Sequence, residues 1–184
     1  MGSICVTRNG YDLFLWCGKV WKMSKCSFTT LLVEIERFTK NARSTVVLQQ
    51  AIVETVARNL AHYNWIGFYM LDPEDVSMLV LGPFHGESTP HVRIPVIQGI
   101  CGAAVAQGET VIVVDVASDP RYLSCSVDTK SEIVTPIRVH GQVVGEIDVD
   151  SHARNAFQPE DREFLEKCAE MVGQYMERTD RAEL

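Results

Sequence analysis

The chain has 184 residues, 46% of them hydrophobic, and a formal net charge of -7. A chain of this length fits one domain, with enough apolar material for a sizeable core. The acidic balance argues against a general binder of nucleic acid or anionic membrane, which needs basic patches to neutralise phosphates. Arg37, Lys40 and Arg43 are the densest cationic group, and they read as one solvated helix face.

The six cysteines are Cys5, Cys17, Cys26, Cys101, Cys125 and Cys168. No two have the C-x-x-C spacing of a zinc site or a thioredoxin-type motif, so free thiols in a cytoplasmic chain are expected. His85 and His91 with Cys101 and Cys125 match no zinc pattern. Gly99-Ile100-Cys101-Gly102 is too short for a dinucleotide fingerprint, so neither metal nor cofactor is expected. No run reaches the roughly 20 apolar residues of a membrane span. Leu13–Val20 is apolar but short, follows Asp12 and contains Gly18 and Lys19, which does not suit a signal peptide. Residues 1–22 are expected to be an extension, either poorly ordered or ahead of a true start at Met23, and 23–184 the domain.

In chain order, Leu31, Leu32, Ile35 and Phe38 mark one face of a helix over 28–41, with Ser27 as its N-cap. Leu48, Ile52, Val56 and Leu60 mark a second helix over 44–63. The period then changes. Residues 65–71 and 78–84 flank Asp72-Pro73-Glu74-Asp75 and read as a hairpin. Residues 92–97 read as a strand, 99–107 as a short helix closed by Gly108, and 110–116 as another strand. A long loop over 117–130 follows. Residues 133–139 and 143–149 form a second hairpin around His140-Gly141. Pro159 opens a final helix with Glu160 and Asp161 in its first turn. Hairpins between terminal helices imply an α+β fold, a largely antiparallel central sheet with N- and C-terminal helices packed on it.

Cys125 stands in the polar stretch 124–132, between two apolar runs, where a thiol is reachable by solvent and ligands. Glu132 ends that stretch, and the last strand carries Asp148 and Asp150. A loop thiol converging with three carboxylates suggests redox or nucleophilic sulfur chemistry on a small polar molecule. Cys101 opens the short helix, where backbone N–H groups favour a thiolate, so a lowered pKa is expected there. The residues alone leave blander readings open. Cys125 also fits an incidental thiol, and Cys101 a small core residue between glycines. Asp148 and Asp150 alternate with Ile147 and Val149, which also suits the wet face of a strand. Trp65 and Tyr69 are four apart on one face and also suit plain core.

Six segments taken together carry a resemblance. They are Trp65-Ile66-Gly67-Phe68-Tyr69, Leu81-Gly82-Pro83-Phe84-His85-Gly86, Arg93-Ile94-Pro95, Gly99-Ile100-Cys101-Gly102, Ser131-Glu132-Ile133-Val134 and Ile147-Asp148-Val149-Asp150-Ser151. In this order they resemble the free methionine-(R)-sulfoxide reductases, single-domain enzymes of the GAF fold, over residues 28–176. The resemblance implies reduction of free methionine-(R)-sulfoxide, regeneration by thioredoxin, and a homodimer. It implies Cys125 as attacking thiol and Glu132 as catalytic acid. It places Asp148, Asp150 and Ser131 around the substrate, with Trp65 and Tyr69 as walls. One position departs. The family's usual resolving cysteine precedes the Val-Arg-Ile-Pro segment, and here that place is His91. Cys101 is the expected substitute, and direct reduction of the sulfenic acid by a small thiol is the other route. The alternative is a non-catalytic module that binds a small metabolite or senses redox state.

Overall fold

A computed structural model describes residues 27–124 and 126–180, together with the backbone of three strands before them. Those strands are β1 (Cys5–Arg8), β2 (Tyr11–Trp16) and β3 (Lys19–Lys22), which pair antiparallel in the order β1-β2-β3. The expected extension over 1–22 otherwise lies outside the described residues.

Helix α1 (Phe28–Asn41) begins where Ser27 Oγ accepts the N–H of Thr30, and α2 (Thr45–Asn59) where Ser44 Oγ accepts that of Val47, both at 3.3 Å. Each cap satisfies a backbone donor that the first turn leaves unpaired. α2 ends four residues short of the expected 63. Leu60 leaves helical geometry, and Tyr63 donates its hydroxyl to Asp161 Oδ1 at 2.9 Å.

The central sheet holds β4 (Trp65–Leu71), β5 (Met78–His85), β6 (Arg93–Pro95), β7 (Val111–Val113), β8 (Ser131–Val139) and β9 (Gln142–Ser151). Its order is β6-β5-β4-β9-β8-β7, and every neighbouring pair is antiparallel. Helix α3 (Gly99–Gln107) joins β6 to β7, and α4 (Pro159–Asp180) closes the domain. The β8–β9 turn puts His140 at φ 49° and Gly141 at φ 78°. Positive φ at both central positions matches a two-residue hairpin turn whose twist suits the flanking strands.

The sheet has two buried faces. Ile66, Phe68, Ile133, Ile137, Ile147 and Val149 pack against α1, α2 and α4, which supply Leu31, Ile35, Ile52, Val56, Phe164 and Leu165. The opposite face holds a smaller cluster that includes Trp65, Tyr69, Ile94, Val134, Ile100, Cys101 and Ala104. The expected α+β arrangement is therefore present, with α3 alone on the second face. Among the described residues no helix is long and apolar enough to cross a membrane.

α4 lies so close to β8 that a Cβ at Gly173 would sit 2.1 Å from the Arg138 carbonyl oxygen. Backbone cannot yield there as a flexible side chain would. Gly173→Ala is therefore expected to destabilise by about 1–3 kcal/mol through overpacking. That loss outweighs the roughly 1 kcal/mol by which alanine is the better helix former. Urea unfolding checks the sign.

Candidate active site

The register of the sheet builds the site row by row. Trp65, Asp150, Glu132 and Val113 are successive partners across β4, β9, β8 and β7. The next row on the same face runs Gly67, Asp148, Val134 and Val111, and the next joins Tyr69 to Glu146 and Pro136. Alternate residues of a strand face opposite sides. Ile147 and Val149 therefore enter the main core while Glu146, Asp148 and Asp150 take the opposite face, the first two beside Cys101 of α3.

These carboxylates are not on a wet face. Relative exposure is 0% for Glu146, 2% for Asp148, 3% for Asp150 and 5% for Glu132. No ion pair among the described residues includes any of the four. Among the described residues Glu146 has no hydrogen-bond partner beyond the Cys101 thiol, and Oδ1 of Asp148 has none. Burial disfavours the charged form, and like charges nearby add to this. Burial pushes Glu146 up to about 8. Burial, with the Glu146 charge beside it, does the same to Asp148. Glu132 and Asp150 are pushed well above the carboxylate range by burial and then by Asp148. The face thus holds its carboxyl protons more tightly than water would. Glu146 was missing from the sequence-based set. The signal for it was present, because it precedes Asp148 by one strand period.

α3 brings Cys101 onto this face. Its sequence Gly99-Ile100-Cys101-Gly102-Ala103-Ala104 keeps the helix thin. A Cβ at Gly102 would lie 2.8 Å from the Ile97 carbonyl carbon. Cys101 Sγ donates to Asp148 Oδ2 at 3.8 Å and is 6% exposed. The expectation of a thiolate is overturned. Burial, followed by Glu146, Asp148 and Glu132, raises the Cys101 thiol well above its ordinary pKa. Desolvation and three nearby carboxyl groups outweigh the helix terminus.

The aromatic wall lies on β4. Trp65 stacks on Phe84 at 5.7 Å between centroids and lies 6.3 Å from Tyr69. Its Nε1 donates to the Glu87 carbonyl at 3.0 Å. Gly67 leaves room for the indole, since a Cβ there would stand 2.3 Å from Trp65 Cη2. Tyr69 is fully buried and donates its hydroxyl to the His91 carbonyl at 2.7 Å. His91 in turn donates its ring N–H to the Ser124 carbonyl at 3.0 Å. That bond joins two loops beside the site.

Ser131 does not converge with the others. It is adjacent to Glu132 on a strand, so it faces the other side. Its hydroxyl donates to the Ala153 carbonyl at 2.7 Å and accepts the Ala156 N–H. Cys125 lies outside the described residues. Two small cavities flank the cluster, one of about 40 Å³ bounded by Trp65, Ser126, Thr129 and Asp150, another of about 10 Å³ bounded by Cys101, Leu123 and Glu132. A wider cleft, about 600 Å³, lies against α4 between Arg138 and Glu177. Its Arg162 and Glu166 already pair at 2.8 Å, and none of the four carboxylates lines it.

This sheet, with helices on both faces, and the matching of residues 27–176 to the GAF domain model make the chain a member of the GAF-domain family. More narrowly, it belongs to the free methionine-R-sulfoxide reductase family. The enzyme of that name from Escherichia coli is 37% identical over 121 residues, covering 66% of this chain and 71% of the relative. Protein YtsP of Bacillus subtilis is 37% identical over 145 residues, 79% of this chain and 88% of that protein. The structure of free methionine-R-sulfoxide reductase from Neisseria meningitidis, in complex with its substrate, aligns at TM-score 0.79 and 31% identity. That alignment covers 84% of this chain and 91% of the other.

The raised carboxyl pKa values make stability depend on pH in a defined direction. A group whose folded pKa lies above its unfolded value stabilises fully below the unfolded pKa, and loses that contribution as pH rises through the folded one. For Glu146 the window runs from its ordinary 4.5 to about 8. Glu146→Gln is expected to be more stable than wild type at pH 8, with the gap closing towards pH 4. Thermal unfolding across that range, in chelator-containing buffer, checks it.

Proposed function

We propose that the protein reduces free methionine-(R)-sulfoxide to methionine. The observation that carries this is a face of four buried carboxylates with no ion-pair partner among the described residues, next to an aromatic wall. A free amino acid supplies an ammonium group to such a face, and a residue inside a peptide does not. Asp148 and Asp150 hold the ammonium, while Trp65 and Tyr69 flank the side chain. The Cys125 thiolate attacks the sulfoxide sulfur, and Glu132 gives its proton to the oxygen. Methionine leaves as the thioether, and the oxygen stays on Cys125 as a sulfenic acid. A second thiol then forms a disulfide and releases water, and thioredoxin restores the dithiol by exchange. Cys101 is that second thiol. Because burial keeps it protonated, it passes its proton as it attacks to Glu132, which the first step left deprotonated. A homodimer is the proposed assembly.

Two features favour the alternative of a non-catalytic, redox-sensing binding module. His91 stands where the resolving cysteine is expected, and the Cys101 thiol is held protonated. An NADPH-coupled thioredoxin assay separates the two. It offers free methionine-(R)-sulfoxide, the S epimer and a peptide-bound sulfoxide. Turnover of the free R epimer alone supports the reductase. No NADPH oxidation with any of the three leaves the binding module.

Cys125→Ser is expected to abolish turnover, because a hydroxyl forms no sulfenic acid. Activity close to wild type in that variant removes Cys125 from the role of nucleophile. Glu132→Gln is expected to lower kcat by about 10²–10⁴-fold at saturating substrate. A change confined to KM instead assigns Glu132 to ground-state binding.

A further inference from the structure

Cys101 Sγ and one carboxylate oxygen each from Glu132 and Asp148 lie within 4.8 Å of one another, and all three residues are buried. They come from α3, β8 and β9, so three separate elements converge on one point. Cys101 Sγ and Asp148 Oδ2 are already 3.8 Å apart. Around a tetrahedral zinc ion, a sulfur and an oxygen ligand stand about 3.6 Å apart, given Zn–S near 2.3 Å and Zn–O near 2.1 Å. Small side-chain rotations therefore bring the three donors to bonding distance.

A second observation points to a cation independently. Asp148 is 2% exposed, and its Oδ1 has no hydrogen-bond partner among the described residues. Glu146 is not one of the three donors, yet it is fully buried and meets only the Cys101 thiol. A buried carboxylate normally has a charge partner or a metal.

We propose that Cys101, Glu132 and Asp148 form a site for a thiophilic divalent cation of the zinc class, with Glu146 as the adjacent fourth acceptor. The thiolate selects the ion. Calcium and magnesium take oxygen ligands, whereas a sulfur donor beside carboxylates suits zinc or cadmium. On binding, the ion replaces the thiol proton and the carboxyl protons that otherwise offset the buried charge. It occupies carboxylates that an ammonium group would use, so ion and amino acid exclude each other. The site rests on the geometry of the cluster and not on the reductase reading.

The test uses the full chain freed of metal by a chelator. Zn²⁺ affinity is read by competition with a chromogenic chelator. Cd²⁺ is read by its ultraviolet thiolate-to-metal charge-transfer band. The wild type is expected to bind one ion per chain. Cys101→Ser is expected to lose the band and weaken Zn²⁺ binding on the order of 100-fold, and Glu146→Gln about 10-fold. Cys168→Ala, at the buried thiol of the opposite core, is expected to bind as wild type does. Glu146→Gln preserves shape and removes only charge, so it decides the matter if Cys101→Ser fails to fold. The inference is overturned if the wild type does not compete for Zn²⁺. It is equally overturned if the band survives in Cys101→Ser or disappears in Cys168→Ala. A chain that reduces the sulfoxide but ignores Zn²⁺ overturns this inference alone. One that binds Zn²⁺ through Cys101 and reduces nothing overturns the reductase reading alone.

Discussion

Four carboxyl groups share one dry sheet face with no basic side chain paired to them among the described residues, and the rest of the structure is arranged around that cost. An isolated buried charge is so unfavourable that the group changes its protonation instead. Glu132, Glu146, Asp148 and Asp150 follow this rule. Their ionisation is deferred until something positive arrives, whether an ammonium group or a metal ion. The apolar clusters on both sides make this tolerable. α1, α2 and α4 bury a large core on the opposite face, and that core offsets a second face built for chemistry.

The same constraint explains why α3 is made of small residues. A helix of larger side chains would stand away from β8 and β9 and leave the acids to water. Glycine and alanine let it settle onto the strands, and the close approach puts Cys101 among the carboxylates. The thiol is then governed by its neighbours rather than by its place on the helix. A macrodipole acts over one turn and at partial charge, while three acids act at close range in a dry medium.

Much of this was legible in the chain. The Ser27 cap, the change of period after Tyr63 and the two hairpins mark out the element order, because each rests on local rules. Trp65 and Tyr69 could be placed on one face by counting alone. Other features depend on what the strands and helices meet. The wet-face reading of Asp148 and Asp150 suited their alternation, and only α3 covering that face excludes it. Ser131 followed Glu132 in a shared motif, yet strand geometry sends the two to opposite sides. The end of α2 depended on Tyr63 reaching Asp161, nearly a hundred residues away in sequence. Glu146 stands one residue outside the Ile147–Ser151 motif, yet the two-residue period of the strand runs through it.

The strict alternation of β9 bears on how the domain finds its fold. A slip of one residue against β4 or β8 would turn every side chain of the strand to the wrong side. Glu146, Asp148 and Asp150 would then face Val53, Phe164 and Leu165, while Ile147 and Val149 would face Cys101. Few mispairings of a hairpin are penalised so heavily. The acids that equip the site thus also proofread the assembly of the sheet, rejecting neighbouring registers that a strand of plain hydrophobic residues would tolerate.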